Sequence, residues 1–366
     1  MNTLNISCDF PGGNIILNEI KTENGITEVF VEQDLRDTER WWFYWSFKVI
    51  NPPAGKVNFC FCNKGVVCPY GAAVSENGFD YAYDTAGYID DTHFTYTFTG
   101  SEKEMYFAFT LPYVLSHFES FYREICGDST VKRDILCKSE GGRSVPLLAF
   151  GSGEKAVLFT SRHHCCESTA NFVLEGVIMS LLTEYRSLLG EFTFYAVPFI
   201  DLDGAQRGDQ GKARKPHDHN LDYTAEPLYE SVRAIKVLGD KIKPLYFIDF
   251  HSPWKWGGAD SRPHIYVNSC KSDGATDETR FVDTVKAITE APGFCGITYD
   301  GYTNYSGDYA DGLNQPCADC WFKLRGARFS ITIENPYSGD GVVYTPDLLR
   351  DWGSNITKAF NIMFGK

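Results

Sequence analysis

The sequence predicts an α/β protein in two parts: a mixed, mostly parallel sheet flanked by helices on both faces, preceded by an antiparallel β-sandwich domain. Three observations predict it. Aromatic and β-branched runs fill the first third of the chain, apolar runs alternate with amphipathic helical patterns in the remainder, and 366 residues exceed one small domain. We place the N-terminal domain at residues 1–125 and the larger domain at residues 126–366.

The N-terminal part is predicted to consist of strands. Its short runs are separated by Gly, Asn, Asp or Pro, many alternate with a period of two, and no helical pattern interrupts them up to about residue 125. The runs are "NIILNEI", "GITEVFVEQD", "WWFYWSFKVI", "VNFCFC" and "EMYFAFTL". The aromatic residues of "RWWFYWSF" are typical of a sandwich core, and a surface that binds a partner or a glycan is the alternative.

After about residue 145, predicted strands alternate with predicted helices, which indicates a parallel or mixed sheet covered on both faces. The strands are "AVLFTSR", "FTFYAVPFID", "PLYFIDFH" and "RFSITIE", and the helices are "TANFVLEGVIMSLLTEYRSLL", "EPLYESVRAIKVLGDKI", "DETRFVDTVKAITEA" and "PDLLRDWGSNITKAFNIMF". Ligands of such sheets bind beyond the carboxyl ends of the strands. Titratable residues follow all four strands, so we expect one site at that edge.

Composition excludes several classes of partner. A net charge of −14 without a basic segment disfavours nucleic-acid binding. No apolar stretch reaches the roughly 18 residues of a membrane span, which predicts that the protein does not enter a membrane. The N-terminus "MNTLNISCDFPGG" lacks a signal-like pattern, and we interpret the 12 cysteines as thiols of a cytoplasmic protein. The sequence leaves a homo-oligomer open.

The segment "TSRHHCCES" carries the first candidate ligands. His164 and Glu167, three residues apart on a helical turn, face the same side, and imidazole and carboxylate both suit zinc. His163 and Glu167 are four residues apart and suit the same geometry. An exposed polar helix turn is the third interpretation, and the spacing alone does not choose among them.

Two further strand ends complete a candidate site. His251 ends "PLYFIDFH" and supplies a third zinc ligand, with Asp249 on the same face to orient a ligand. Glu334 ends "RFSITIE", where an unpaired carboxylate is costly to bury, so it is a candidate general base beside a zinc-bound water. An ion pair with Arg325 or Arg328 is the alternative role for Glu334.

Other residues offer rival chemistry. Residues 201–223 form a predicted long loop, rich in Gly and charge, whose arginines suit a substrate carboxylate or a developing oxyanion. Within it, "HDH" is a possible HxH metal motif, less complete than the zinc set above. Cys317 and Cys320 form a CxxC pair, for which a zinc or redox role is the alternative to plain thiols. Catalysis by Cys165 or Cys166 with a histidine is compatible with composition but lacks an orienting acid.

These motifs together resemble the M14 family of zinc carboxypeptidases. "SRHHCCES" resembles the family's R-x-H-x-x-E segment at Arg162, His164 and Glu167, "FIDFH" the strand with the second zinc histidine, and "ITIEN" the strand with the catalytic glutamate. The spacings also match, with 84 residues from Glu167 to His251 and 83 from there to Glu334. The N-terminal half is similar to the β-sandwich of cytosolic-carboxypeptidase-like members.

The resemblance implies one Zn²⁺ per chain, held by His164, Glu167 and His251. It implies that Glu334 activates the zinc-bound water for attack on an amide carbonyl. Arg214, in "GKARKP", best matches the arginine that stabilises the tetrahedral oxyanion.

The resemblance also implies residues that bind substrate. Asn220 matches the asparagine that binds the substrate's terminal carboxylate, Arg207 is the alternative to Arg214, and Tyr309 is the candidate for the family's mobile tyrosine. The family places an arginine directly after that asparagine, and this chain has Leu221. A leucine cannot make the bidentate contact that an arginine gives to a carboxylate.

The sequence therefore predicts a zinc-dependent, metallocarboxypeptidase-like hydrolase of an amide bond. Its expected substrate is a peptide with an unusual C-terminus, a peptidoglycan stem peptide or an acylamino acid, and the last would make the protein an N-acylamino-acid deacylase. The alternative of another class is a zinc-containing pseudo-enzyme that acts as a binding module.

Overall fold

The structure is a computed structural model that describes residues 4–268, 276–289, 302–305, 317–337, 339 and 341–365. Ten strands, β1 to β10, span Asn5–Ser7, Ile16–Glu23, Ile26–Glu32, Ser46–Ile50, Gly55–Phe61, Ala73–Ser75, Ala82–Tyr83, Tyr88–Asp90, His93–Phe98 and Glu104–Ala108. They form two five-stranded sheets with the orders β1-β4-β10-β6-β7 and β2-β3-β5-β9-β8.

Aromatic residues from the two N-terminal sheets pack against each other. The ring of Phe47 on β4 lies 5.2 Å from that of Phe59 on β5, and Phe94 on β9 lies 5.7 Å from Phe107 on β10. All four side chains are buried in one apolar cluster together with Trp45. The aromatic run at residues 43–47 therefore belongs to a core and is not an exposed binding surface.

Two features of the N-terminal part differ from the prediction. Strands β3 and β5 pair in parallel, so this sheet is not wholly antiparallel. Residues Leu115–Ile125 form a helix, α1, where only strands were expected. Its buried residues Phe118, Phe121 and Ile125 recur every three or four positions, which is a helical period in a segment too short and too aromatic to stand out from the strands before it.

The described residues after α1 form a mixed eight-stranded sheet with helices, and the predicted mixed α/β fold is confirmed. Strands β11 to β18 span Val131–Lys138, Ser144–Gly151, Lys155–Ser161, Phe192–Val197, Tyr246–His251, His264–Asn268, Tyr302–Tyr305 and Phe329–Glu334. Helices α2 to α7 span Thr169–Leu182, Leu202–Arg207, Glu230–Ile242, Thr276–Thr289, Ala318–Leu324 and Pro346–Phe364. The order is β11-β12-β14-β13-β15-β18-β16-β17, and its centre, β14-β13-β15-β18, is parallel.

Helices contact both sides of the central strand β15. Phe247 stacks on Phe322 of α6 at 4.1 Å, and Tyr246 lies 5.3 Å from Phe360 of α7. Because consecutive strand residues point to opposite faces, α6 and α7 contact opposite faces of β15. No helix within the described ranges is both long enough and apolar enough to cross a membrane.

One apolar core surrounds this sheet and extends into the N-terminal part. It includes Tyr81, Ala108, Leu111 and Tyr113 from the N-terminal segment, together with Phe118 of α1. The predicted domain boundary between residues 125 and 126 remains a prediction, and it falls directly after a helix that belongs to the core of the larger sheet.

Candidate metal centre and pocket

The register of the parallel strands brings the candidate residues to one edge of the sheet. His251 at the end of β15 pairs directly with Glu334 at the end of β18. On the other side of β15, strand β13 ends at Ser161, and Arg162 turns the chain with a φ of 62°. The histidine and glutamate residues that follow β13 thus meet the ends of the two neighbouring strands.

The turn after β13 is held by a buried arginine. The guanidinium of Arg162 donates to the carbonyl of Cys165, to the carbonyl of Tyr113 at 2.8 Å and to Asn171 Oδ1 at 2.9 Å. These bonds fix residues 162–167 in a compact turn. The arginine of the predicted motif thus shapes the chain around His164 and Glu167 and does not reach the pocket described below.

His164, Glu167 and His251 lie close together. His164 Nδ1 lies 3.0 Å from Glu167 Oε1, and His251 Nδ1 lies 2.8 Å from Glu167 Oε2. One ligand atom from each of the three residues lies within 4.8 Å of the others. Two imidazole nitrogens and one carboxylate oxygen form the protein donor set that zinc takes in catalytic sites.

A second buried group shares His251 with this cluster. His163, Asp249 and His251 also place ligand atoms within 4.8 Å of one another. Both ring nitrogens of His163 already have partners, because Nδ1 lies 3.0 Å from Asp249 Oδ1 and Nε2 lies 2.8 Å from the Tyr223 hydroxyl. Glu167 pairs with His164 and not with His163, so the alternative spacing is not the one the structure forms.

Asp249 orients His251, the role expected for it. Its Oδ2 lies 2.8 Å from His251 Nε2, which leaves Nδ1 directed at Glu167. Burial alone would lower the pKa of His251, but the charges of Asp249 and Glu167 outweigh burial and raise it. Carboxylates that hold the outer nitrogen of a metal-binding histidine are a recurrent feature of such centres.

Glu334 presents an unpartnered oxygen to the same region. Its Oε2 atom is shielded from solvent and has no hydrogen-bond partner among the described residues. Burial, reinforced by the charge of Glu167, raises the pKa of Glu334. The expected alternative, an ion pair with an arginine, is not formed, because Arg325 pairs with Asp240 and Arg328 with Asp277. An orphaned carboxylate oxygen beside three metal-type ligands fits a centre that holds a metal ion and a water molecule.

His164, His251 and Glu334 line a pocket of about 150 Å³. The described residues that line it are His164, Lys212, Asp218, Asn220, Leu221, His251, Cys317, Asp319, Thr332 and Glu334. The pocket thus joins the two histidines of the cluster to the candidate base and to the Asn-Leu pair of the predicted carboxylate clamp.

The predicted arginines do not line this pocket. Arg214 is held by three carboxylates, at 2.7 Å from Asp201, 2.9 Å from Asp37 and 3.5 Å from Asp209. Arg207 is half-exposed and pairs with Asp209 at 2.9 Å. Their assignment as oxyanion or substrate ligands has no support from these positions. Tyr309 lies outside the described residues.

Two pocket residues were missed by the sequence analysis. Lys212 reaches Glu167 Oε1 with its Nζ at 2.6 Å. Asp218 accepts from the backbone N–H groups of Asn220 and Leu221, and its Oδ1 lies 3.6 Å from His164 Nε2. The signal for Lys212 was its position in "GKARKP", two residues before the arginine that the family pattern favoured.

The position directly after Asn220, where the family pattern has an arginine, is Leu221 in this chain. Asn220 Oδ1 accepts from the backbone N–H of Ala318 at 3.3 Å, which ties the clamp to the start of α6. Leu221 occupies the pocket wall beside it. The departure from the family pattern noted in the sequence is therefore located in the pocket itself.

Thiol catalysis is not supported by the structure. Cys165 and Cys166 are both buried, and the Cys165 thiol donates to the carbonyl of Asp209 at 3.0 Å. Burial raises the pKa of the Cys166 thiol to about 12 and that of Cys165 well above its usual range. Neither sulfur is therefore a thiolate at neutral pH, and the thiolate is the nucleophilic form.

Two other candidate metal motifs, "HDH" and the CxxC pair, were named from the sequence. His217 Nε2 lies 2.6 Å from Asp222, whereas the His219 ring stacks on Tyr229 at 3.6 Å, so the two histidines of "HDH" do not share a site. The CxxC pair forms a cluster of Cys317, Asp319 and Cys320 with ligand atoms within 4.8 Å, and Cys317 and Asp319 line the same pocket.

Comparison with solved structures identifies the class of fold. The chain superimposes on a metallo-carboxypeptidase from Burkholderia cenocepacia with a TM-score of 0.78 and 18% identity, over 98% of both chains. A metallo-carboxypeptidase from Pseudomonas aeruginosa, in complex with (2-guanidinoethylmercapto)succinic acid, gives a TM-score of 0.76 and 20% identity over 99% of this chain and 100% of that one. The chain has the fold of these metallo-carboxypeptidases.

Sequence comparison finds relatives of low identity. An uncharacterized protein of Zymomonas mobilis is 25% identical over 97% of this chain and 93% of its own length. Cytosolic carboxypeptidase 3 of Mus musculus is 26% identical over 51% of this chain, and the match spans only 20% of that protein. No model of a known protein family matches the chain.

Proposed function

We propose that the protein is a zinc-dependent hydrolase of the M14 carboxypeptidase type, which cleaves an amide bond. The observation that carries the proposal is the convergence of His164, Glu167 and His251 beside the orphaned Oε2 of Glu334. The fold shared with metallo-carboxypeptidases and the partial match to cytosolic carboxypeptidases support it. The proposal includes a cytosolic-carboxypeptidase-like arrangement, with a cytoplasmic location and an N-terminal β-sandwich domain.

The proposed mechanism divides the work among these side chains. A zinc ion in this centre would polarise the scissile carbonyl and lower the pKa of a water molecule. Glu334 takes a proton from the attacking water and returns it to the nitrogen of the leaving amine. Asp249 holds the outer nitrogen of His251 by a hydrogen bond of 2.8 Å, so that this ring keeps its direction, and the Asp218 carboxylate lies 3.6 Å from the outer nitrogen of His164.

The proposed substrate is a peptide or an acylamino acid whose leaving group enters the pocket beside Asn220. The amide of Asn220 is held from the Oδ1 side by Ala318, which leaves the Nδ2 donor for substrate. Leu221 removes the guanidinium that would fix a free carboxylate. This pocket therefore suits a leaving group without a free carboxylate better than a pocket with an arginine at position 221 would.

The test combines metal content with turnover. We expect the purified protein to hold about one zinc per chain and to hydrolyse members of a panel of peptides and N-acylamino acids. A chelator should abolish turnover and added zinc should restore it. Zinc without hydrolysis of any panel member would favour the pseudo-enzyme, and absence of zinc binding would remove the hydrolase proposal.

Leu221→Arg is expected to shift the preference toward free carboxylates. A charge-assisted hydrogen bond contributes about 1.5–3 kcal/mol, which corresponds to a gain of roughly 10- to 100-fold in kcat/KM for a substrate with a free C-terminus. The C-terminal amide of the same substrate should show little change, and Leu221→Met should change neither. An equal effect on the acid and the amide would show that position 221 does not contact the terminal group.

A further inference from the structure

Lys212 is the one lysine or arginine among the described residues that line the pocket. Its side chain is only 14% exposed, and its Nζ lies 2.6 Å from Glu167 Oε1. The charges of both Glu167 and Glu334 act on it. A largely buried ammonium thus pairs with a candidate metal ligand and lines the same pocket as the candidate base.

Arg214, the arginine predicted to stabilise the oxyanion, does not supply a positive charge to the pocket. Arg214 is fixed in a cluster of three aspartates and does not line the pocket. Among the described residues that line the pocket, Lys212 is therefore the one lysine or arginine that can offer a positive charge to a bound carbonyl.

The loop that carries Lys212 is held by the segment between β3 and β4, residues 34–44. Asp37 Oδ1 accepts from the backbone N–H of Gln210 at 2.9 Å, and its Oδ2 accepts from Gly211 N–H at 2.8 Å and from Arg214 Nε at 2.9 Å. The loop is thus fixed on both sides of Lys212 by one carboxylate of the N-terminal part.

The same segment contacts the Lys212 side chain and the loop beside it. The Nζ atom lies 5.0 Å from the centre of the Trp42 ring, a cation–π distance. Two residues later, Tyr44 exchanges two hydrogen bonds with the side-chain amide of Gln210, at 2.9 and 2.8 Å. A lysine on a flexible stem needs such packing to hold one direction.

We propose that Lys212 is the catalytic cation that stabilises the oxyanion, and that Asp37 and Trp42 are positioning residues that hold its ammonium in the pocket. This inference rests on the proposed function. As water adds to the amide carbon, the carbonyl oxygen gains the electron pair of its π bond. The Lys212 ammonium donates a hydrogen bond to this oxygen. As the C–N bond breaks, that pair returns to the carbonyl and the leaving nitrogen takes the proton held by Glu334.

The first test replaces the ammonium. Removal of one oxyanion donor costs about 10²- to 10³-fold in kcat, and we expect Lys212→Met to lose that much. Zinc content should not fall, because the ammonium pairs with Glu167 and is not itself a metal ligand. Lys212→Arg should restore part of the rate, and ethylammonium in solution should partly rescue Lys212→Ala. The matched control is Lys236→Met, since Lys236 also packs over a tryptophan, Trp321 at 5.8 Å, and does not line the pocket.

The second test asks whether the N-terminal segment acts through Lys212. Asp37→Asn should lower kcat more than it raises KM in the wild-type background and add almost nothing in the Lys212→Met background. Equal losses in both backgrounds would show a merely structural role and overturn the positioning part. Wild-type turnover with less than tenfold loss in Lys212→Met would overturn the inference alone. Absence of zinc-dependent turnover in the wild type would overturn it together with the proposed function.

Discussion

Glu334→Gln is expected to lower kcat by about 10²- to 10⁴-fold, the range that general acid–base catalysis contributes, while zinc content stays at the wild-type level. Glutamine keeps the shape of the side chain but cannot accept the proton of the attacking water. Glu334 lines the pocket, and its Oε2 atom makes no hydrogen bond within the described parts of the chain, so the substitution should not remove a structural contact. Turnover and elemental analysis on the same preparation measure the two effects.

The control for this variant is Glu175→Gln. Glu175 is likewise buried, but it pairs with Arg350 at 2.8 Å and does not line the pocket. We expect its rate to match the wild type once the fraction of folded protein is taken into account. Full activity of Glu334→Gln would remove Glu334 from the mechanism.

His164→Ala is expected to abolish stable zinc binding, whereas His163→Ala should keep it. A ligand bound at a thousandfold excess over its Kd stabilises the folded state by about 4 kcal/mol. Wild-type protein should therefore show a higher Tm in zinc than in chelator, and His164→Ala should lose most of this difference.

His163→Ala is the control for His164→Ala. It removes the adjacent histidine, which is not one of the three proposed zinc ligands. His163 hydrogen-bonds to Asp249, which in turn holds His251, and its ring stacks on that of His251 at 5.7 Å. Loss of such an outer contact weakens metal binding by roughly 10- to 100-fold without removing the centre. Retention of zinc in His164→Ala together with its loss in His163→Ala would place the metal in the buried His163, Asp249 and His251 group instead.

Much of the fold could be predicted from periodicity. The C-terminal helix has the predicted bounds, Pro346–Phe364, because a proline begins it and an apolar stripe runs through its length. The ends of β15 and β18 could be placed because each apolar run stops at a titratable residue. Helix α1 and the parallel pairing of β3 with β5 could not, because pairing partners and short aromatic helices leave no distinct period in the sequence.

The site was predictable where residue type dictates chemistry, and not where it depends on the path of a loop. His164, Glu167 and His251 offer few alternatives to metal binding once three strand ends meet. The choice between Arg214 and Lys212 depends instead on contacts with Asp37, some 175 positions earlier in the chain. No local pattern encodes such a contact, so the sequence could not show that Arg214 pairs with aspartates, and its catalytic assignment stays a prediction.

The apolar core that passes from the large sheet into the N-terminal segment has a thermodynamic consequence. Phe118, Leu111 and Tyr113 are buried together with residues of the large sheet, so separating the two parts would expose their side chains to water. We therefore expect calorimetry to show a single cooperative unfolding transition for the whole chain. A fragment that begins at residue 126 should lack an independent melting peak, which makes the two parts of the chain one folding unit.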